Sequence, residues 1–432
     1  MKRLITSAGL VALGVASAQA QNVAAPHLTS IETSKPWSVS ATLRGFYDDN
    51  YSTRPSNPGS GPKKEDSFGF ELSPSAELNW VLPQTYIGLS YVYGMRYYEA
   101  RPKSKTDHSH QADLKLNHAF TERYKLDVSD SFVVAQEPDL LAKSGDPLRR
   151  EGNNVRNSAS LNFDAGLTDQ LSVRAGYSNT FYDYTEDEGD VASLGGAGSL
   201  SSLLDRMEHV GTIDLRWQVL PNTSGILGYK YGVTDYNEGH ELAPGIKSDK
   251  RDTTSHYVYV GADHSFIPQL NASVRGGAQI TKYDNIEARL DDTRVSPYAE
   301  GNLTWTYNPG SYVQLGVRHT RLATDISFLS LALQEENLTL DQEATTIYST
   351  INHRITPKLN GNIVGQFQHG SFESGDANNK TENIFLIGFN LSYEINKFLS
   401  ADAGYNFDRL DSDIEDRSFS RNRVYLGIHA TY

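Results

Sequence analysis

The chain has 432 residues, no cysteine, 35 glycines, 25 tyrosines and a formal net charge of -14. The missing cysteines exclude disulfides, thiolate metal sites and a lipid-anchored cysteine, and the acidic balance argues against a nucleic-acid partner. Only 38% of residues are hydrophobic, and no run of about 18 apolar residues occurs, so nothing crosses a bilayer as a helix.

At the N-terminus, Lys2 and Arg3 precede an apolar core over 4–16 that is too short to span, and Ala18-Gln19-Ala20 forms a small-x-small cleavage site. This predicts a signal peptide over 1–20, with Gln21 the first mature residue. Residues 21–36 read as a short, polar periplasmic leader, too small for a plug domain or a catalytic module. From Trp37 to Tyr432 an apolar residue then recurs at every second position. In the final segment Val424, Leu426, Ile428, Ala430 and Tyr432 share one face, and Arg423, Tyr425, Gly427, His429 and Thr431 share the other. Behind an export signal, this predicts an all-β fold: one closed antiparallel transmembrane β-barrel over 37–432, with lipid outside and water inside.

The segments number about eighteen, each long enough to cross a membrane at a tilt. Short proline-, asparagine- or threonine-bearing turns fall at 82–84, 121–123, 168–170, 220–222, 267–269, 308–310, 356–358 and 396–397. Longer connections fall at 52–66, 101–106, 137–153, 185–204, 237–250, 285–292, 324–339, 373–379 and 411–416. The two kinds alternate, which places the short turns and both termini in the periplasm. Pro74 and Pro297 lie inside apparent strands, and bulges are expected there. Were either a turn, the count would change by two, and sixteen strands is the alternative.

Leu89, Leu116, Leu215, Trp217, Val260, Trp305 and Phe389 fall on the outward, lipid-facing side. The opposite face supplies the candidate pore-lining residues. They are Arg44, Arg96, Lys115, Arg156, Arg174, Asp214 and Arg216, followed along the chain by Lys230, Arg275, Glu300, Arg318, Arg354, Asp402 and Arg423. Mixed charges around a pore either set up a transverse field that orients polar solutes or pair with one another and stiffen the wall. Both readings stay open at this point.

Other motifs are weaker. Acidic clusters at 183–190 and 411–416 lack calcium-loop spacing and read as solvated loops. His108 and His110 share a strand face without a third ligand, so a surface pair is preferred to a metal site. There is no G-x-S-x-G and no H-E-x-x-H, and the glycines at 195, 196 and 198 lie in a loop without strand-to-helix context, so no catalytic, cofactor or metal site is assigned. Two long loops are oddly apolar. One carries Ile326, Phe328, Leu329, Leu331 and Leu333, the other Leu194, Leu200, Leu203 and Leu204. The first has near-helical spacing and is expected to form a short amphipathic helix that folds into or over the mouth, with Arg318 and Arg354 as eyelet residues. The alternative is a loop packed on its neighbours above the membrane or against another subunit.

The export signal, the hairpins with proline-type turns, the absent cysteines and the closing Arg-Val-Tyr-Leu-Gly-Ile-His-Ala-Thr-Tyr strand together resemble Gram-negative outer-membrane β-barrel proteins. Within that group the chain is most similar to porin-type barrels, some of which accompany exopolysaccharide systems. The resemblance is architectural, covers the whole mature chain, and is specific at the C-terminal strand, where Tyr432 matches the signal read by the barrel-assembly machinery. It implies an outer-membrane location after signal-peptide cleavage, contact with lipid and lipopolysaccharide, and a single or homotrimeric barrel. A porin-like channel for passive diffusion of small polar solutes or sugars leads, because a barrel of about eighteen strands encloses water. A barrel assisting exopolysaccharide export or assembly is the alternative; an outer-membrane enzyme or structural barrel ranks third.

Overall fold

Strand formation follows directly from the period-two pattern. The computed structural model describes residues 36–59, 63–135, 153–185, 200–287, 290, 292–329 and 333–432; the signal-peptide, most of the leader, Leu194, Leu331 and the 195–198 glycines lie outside them. The chain runs β1 (Trp37–Asp48), β2 (Ser67–Val81), β3 (Thr85–Tyr98), β4 (Thr106–Ala119), β5 (Tyr124–Ala135), β6 (Asn154–Gly166) and β7 (Leu171–Tyr184). A five-residue helix, α1 (Leu200–Leu204), precedes β8 (Arg206–Leu220) and β9 (Thr223–Tyr236), and a small hairpin, β10 (Glu241–Ala243) and β11 (Ile246–Lys247), fills the next loop. β12 (Thr253–Ile267), β13 (Leu270–Tyr283), β14 (Thr293–Asn308), β15 (Ser311–Leu322), β16 (Asp341–Arg354), β17 (Leu359–Glu373), β18 (Thr381–Asn396), β19 (Leu399–Ser412) and β20 (Phe419–Thr431) complete it.

All strands except β10 and β11 form one 18-stranded sheet. It closes on itself where β1 pairs antiparallel with β20, from Ser40↔Thr431 to Asp48↔Arg423. Closure removes every sheet edge, which is what lets a sheet sit in hydrocarbon with its backbone satisfied. Among the described residues no helix is long and apolar enough to cross a membrane. Short turns hold one end. At Asn308-Pro309-Gly310 the glycine takes φ +75°, a conformation that the turn needs and glycine adopts freely.

The expected bulges at Pro74 and Pro297 do not form. Pro74 pairs with Ala41 in an unbroken β1–β2 register, and β2–β3 keeps one register on both sides of it, Leu72↔Met95 and Ser75↔Val92. Pro297 pairs with Ala278, while on its other side the β14–β15 ladder stops at Ala299↔His319. A proline has no N–H to offer, so leaving one neighbour unpaired accommodates it without an inserted residue. The register shifts that do occur in the barrel sit beside short turns, as at Gln218/Leu220 and Thr306/Asn308.

Alternation determines the two faces. Val258, Val260, Val274, Leu426 and Ile428 are exposed on the outer surface. Inward positions carry the polar groups, together with aromatics that lie over glycines on the neighbouring strand. Phe46 pairs with Gly69, Tyr259 with Gly228, Tyr348 with Gly316 and Tyr425 with Gly404, and at each glycine a Cβ would collide with the partner's ring. The missing side chain gives the ring room to lie flat on the wall.

The candidate functional site in the lumen and its folded-in rim

The inward charges are organised as pairs. Arg44 sits between two carboxylates, with Nε donating to Asp402 at 2.7 Å and Nη1 3.5 Å from Glu71, and its guanidinium lies over the Tyr425 ring. Arg96 shares Glu71, donating from Nη2 at 2.8 Å. Arg174 holds Asp164 in a two-point contact at 2.7 and 2.8 Å. Around the wall, Asp263 receives both Arg216 and Arg275. Lys230 donates to the Tyr298 hydroxyl at 2.6 Å, which in turn donates to Glu300 at 2.7 Å, and the Tyr259 hydroxyl donates to Asp214 at 2.5 Å. These contacts favour mutual neutralisation over a one-sided field for the residues named. Charge-assisted bonds and aromatic hydroxyls together fix the side chains against the wall.

The remaining candidates are distributed differently. Lys115 lies on β4 opposite Ser129, and Arg156 is buried on β6. Arg423 lies on β20 near the closing seam, and Arg318 lies on β15 opposite Thr346. The eyelet pairing of Arg318 with Arg354 requires correction. Arg354 is the last residue of β16, donates to the Pro357 carbonyl in a short turn and lies about 26 Å further along β16 than Thr346. The two arginines therefore lie at different depths, Arg318 near the middle of the wall and Arg354 at the short-turn end.

At the long-loop end the wall turns inward. Beyond His319, β15 leaves β14, and Thr320, Arg321 and Leu322 enter the mouth. There the Gln279 side-chain oxygen, on the inner face of β13, accepts hydrogen bonds from the Thr320 hydroxyl at 2.9 Å and the Arg321 backbone N–H at 3.1 Å. An N–H that the ladder no longer satisfies is thus taken up by a side chain. Arg321 grips Asp341 in a two-point contact at 2.8 and 2.7 Å, binding the two strand ends to each other. A cavity of about 120 Å³ remains between this infolded rim and the inner faces of β8, β9, β12 and β13.

The described residues of the connection between β15 and β16 continue inward, but not as the expected helix. Residues 323–329 and 333–334 have no helical structure, and the local helix is a single turn at Glu335–Asn337. Ile326 and Phe328 are buried, whereas Leu329 is 38% exposed. Phe328, Leu338 and Leu340 pack with Tyr182, Tyr184 and Tyr283 from the inner face, with Leu203 and Leu204 of α1, and with Leu242 and Ile246 of the small hairpin; Leu333 packs against the same cluster. Ile326 joins a second cluster with Phe372 and Ala377. Ile326 and Phe328 thus find cover in separate directions, which an irregular segment permits and a one-faced helix does not.

Two arginines hold this arrangement, and a third closes the barrel. Arg251, 1% exposed in the turn Ser248–Arg251, donates to the carbonyls of Leu203 at 3.2 Å, Thr324 at 3.1 Å, Thr339 at 3.0 Å, and to that of Ile326. Burial pushes its pKa down from the ordinary arginine value. Arg417 contacts Asp325 at 3.1 and 2.5 Å and Glu382 at 3.0 Å, tying the segment to the far rim. Arg421 closes the barrel seam, contacting both carboxylate oxygens of fully buried Asp48 at 2.9 and 3.0 Å through Nε. Sequence reasoning missed all three, since isolated arginines in or beside loops carry no spacing signal. The small hairpin had one: Pro244-Gly245 between Ala243 and Ile246, with Gly245 at φ +79°.

His108 and His110 face outward and are engaged by Tyr93 and Tyr91 at 2.7 and 2.8 Å. Among the described residues no group of three potential ligands gathers to hold a metal. Asp183 of the first acidic cluster is the penultimate residue of β7, and residues 186–190 lie outside the described residues.

The family described as putative beta-barrel porin 2 matches residues 126–432. The chain belongs to this porin family. A comparison with curated proteins finds no match. Solved structures similar to it include OccAB4 of Acinetobacter baumannii, at 13% identity and TM-score 0.45, covering 92% of this chain and 99% of that one. A BenF-like porin from Pseudomonas fluorescens Pf-5 is similar at 10% identity and TM-score 0.45, again covering 92% and 99%. The outer membrane protein opdK of Pseudomonas aeruginosa is similar at 12% identity and TM-score 0.42, with the same coverage.

Proposed function

We propose that this porin-family barrel is an outer-membrane channel for passive diffusion of small polar solutes, reached after export and signal-peptide removal and inserted by the barrel-assembly machinery. The observation that carries the reading is the closed 18-stranded wall with polar groups inward, since a barrel of that size encloses water. The infolded β15–β16 segment narrows the route at the mouth, and the paired wall below it gives a polar but locally neutral passage. Such a wall sorts by size and hydrogen bonding more than by net charge. Small uncharged solutes such as monosaccharides fit it.

Liposome swelling tests the reading. Purified protein in vesicles should admit monosaccharides and exclude long oligosaccharides. Vesicles as tight to monosaccharides as protein-free ones would overturn it.

A further inference from the structure

The lipid-facing surface carries one anomaly. Through the middle of the barrel strands, among the described residues, the outward side chains are apolar, aromatic, small or uncharged at every position but one: Asp130, at the centre of β5. It sits opposite Leu114 on β4 and Ala159 on β6, both outward. Asn157 on β6 donates to its Oδ1 at 3.0 Å. Diagonally across, Asn179 on β7 faces Ala159 and donates to the Glu208 carbonyl at 3.2 Å beside His209 of β8. A contiguous polar row, Asp130, Asn157, Asn179 and His209, thus climbs across four adjacent strands on the outer surface. All four side chains are partly exposed.

Hydrocarbon is a poor neighbour for a carboxylate, and one amide bond does not replace its hydration. Outward polar groups at this depth are tolerated where protein, not lipid, covers them. The row is also self-complementary: it offers a carboxylate as acceptor and amide and imidazole groups as donors, so a second copy can satisfy what the first leaves open. We propose that the outer surface of β5–β8, which carries this row, is the face through which two copies of this chain associate in the membrane. The inference needs the barrel and its membrane setting, and does not depend on the solute or on conduction.

Site-specific photo-crosslinking in intact outer membranes tests it. A benzophenone amino acid replaces Ala159 on β6 or, as control, Ile363 on the opposite wall at β17. The proposal expects a product of twice the chain mass, containing only this chain, from position 159 and not from 363. Asp130→Leu should reduce that product about tenfold while the heat-modifiable folded barrel reaches the membrane at normal levels. No product from 159, equal products from both positions, capture of lipopolysaccharide or another protein alone, or an undiminished product with Asp130→Leu in a folded barrel would each overturn it.

Discussion

Arg421 and Asp48 meet where the last strand closes on the first, with side chains 2% and 0% exposed. Removing either leaves the other charge buried without its counter-ion, and such losses cost about 3–5 kcal/mol. Asp48→Ala should lower unfolding stability in detergent by roughly that amount, measured by urea titration of gel mobility, whereas Asp169→Ala in an exposed turn pair should cost no more than about 1 kcal/mol. Equal effects would contradict the seam assignment. Asp252, in the loop before β12, gives a pH-dependent counterpart. Burial first, then neighbouring Asp235, Asp249 and Asp284, push its pKa up to about 6, against the hydrogen bond that it accepts from the Tyr236 N–H. A carboxyl with a raised folded-state value binds its proton more tightly when folded. Its contribution is therefore greatest below about pH 4 and is lost as pH rises to about 6. Amide exchange around Asn285, whose side chain donates to Asp252 at 3.0 Å, should slow on going from pH 7 to pH 5 after correction for intrinsic rates. In Asp252→Asn the slowing should disappear; its persistence there would exclude Asp252 as the cause.

At the scale of elements, period-two alternation made the strands and their faces readable, because a barrel strand has lipid on one side and water on the other. The alternation of short and long connections made the count readable too. What pattern could not convey was which neighbour each loop would use. The apolar run after Thr324 suggests a helix by spacing, yet Ile326 and Phe328 bury against two separate clusters and the backbone beside them is held through carbonyls by Arg251, an interaction blind to side-chain identity at the receiving end. The aromatic-on-glycine pairs were hidden for a related reason: Tyr259 and Gly228 are neighbours only once register is known. Two predictions belong here. Arg251→Ala should leave the barrel assembled and make the 324–340 segment cleavable by added protease, while the wild type resists; equal resistance would remove Arg251 as its anchor. Tyr432, whose N–H donates to the Val39 carbonyl at 2.9 Å and whose ring lies 6.1 Å from that of Trp37, should matter for assembly. Tyr432→Asp should reduce membrane-inserted protein several-fold more than a loop change such as Glu336→Ala, scored by heat-modifiable mobility.

The whole molecule combines a wall that pairs its own charges with a rim that has turned into its own mouth. In the proposed channel the first would make the lumen polar without a strong net field, and the second would set its width. The inward turn originates in one local fact, the parting of β15 from β14 beside Pro297, and is held by Gln279, Arg251 and Arg417 at separate points on the wall. The measurement that tests this account most directly is single-channel conductance in planar bilayers, comparing the wild type with a variant in which residues 324–339 are replaced by a short glycine-serine turn. The account predicts small, steady, weakly ion-selective steps for the wild type and steps several-fold larger for the variant. Equal conductance in the two, or no steps from a correctly folded wild type, would contradict it.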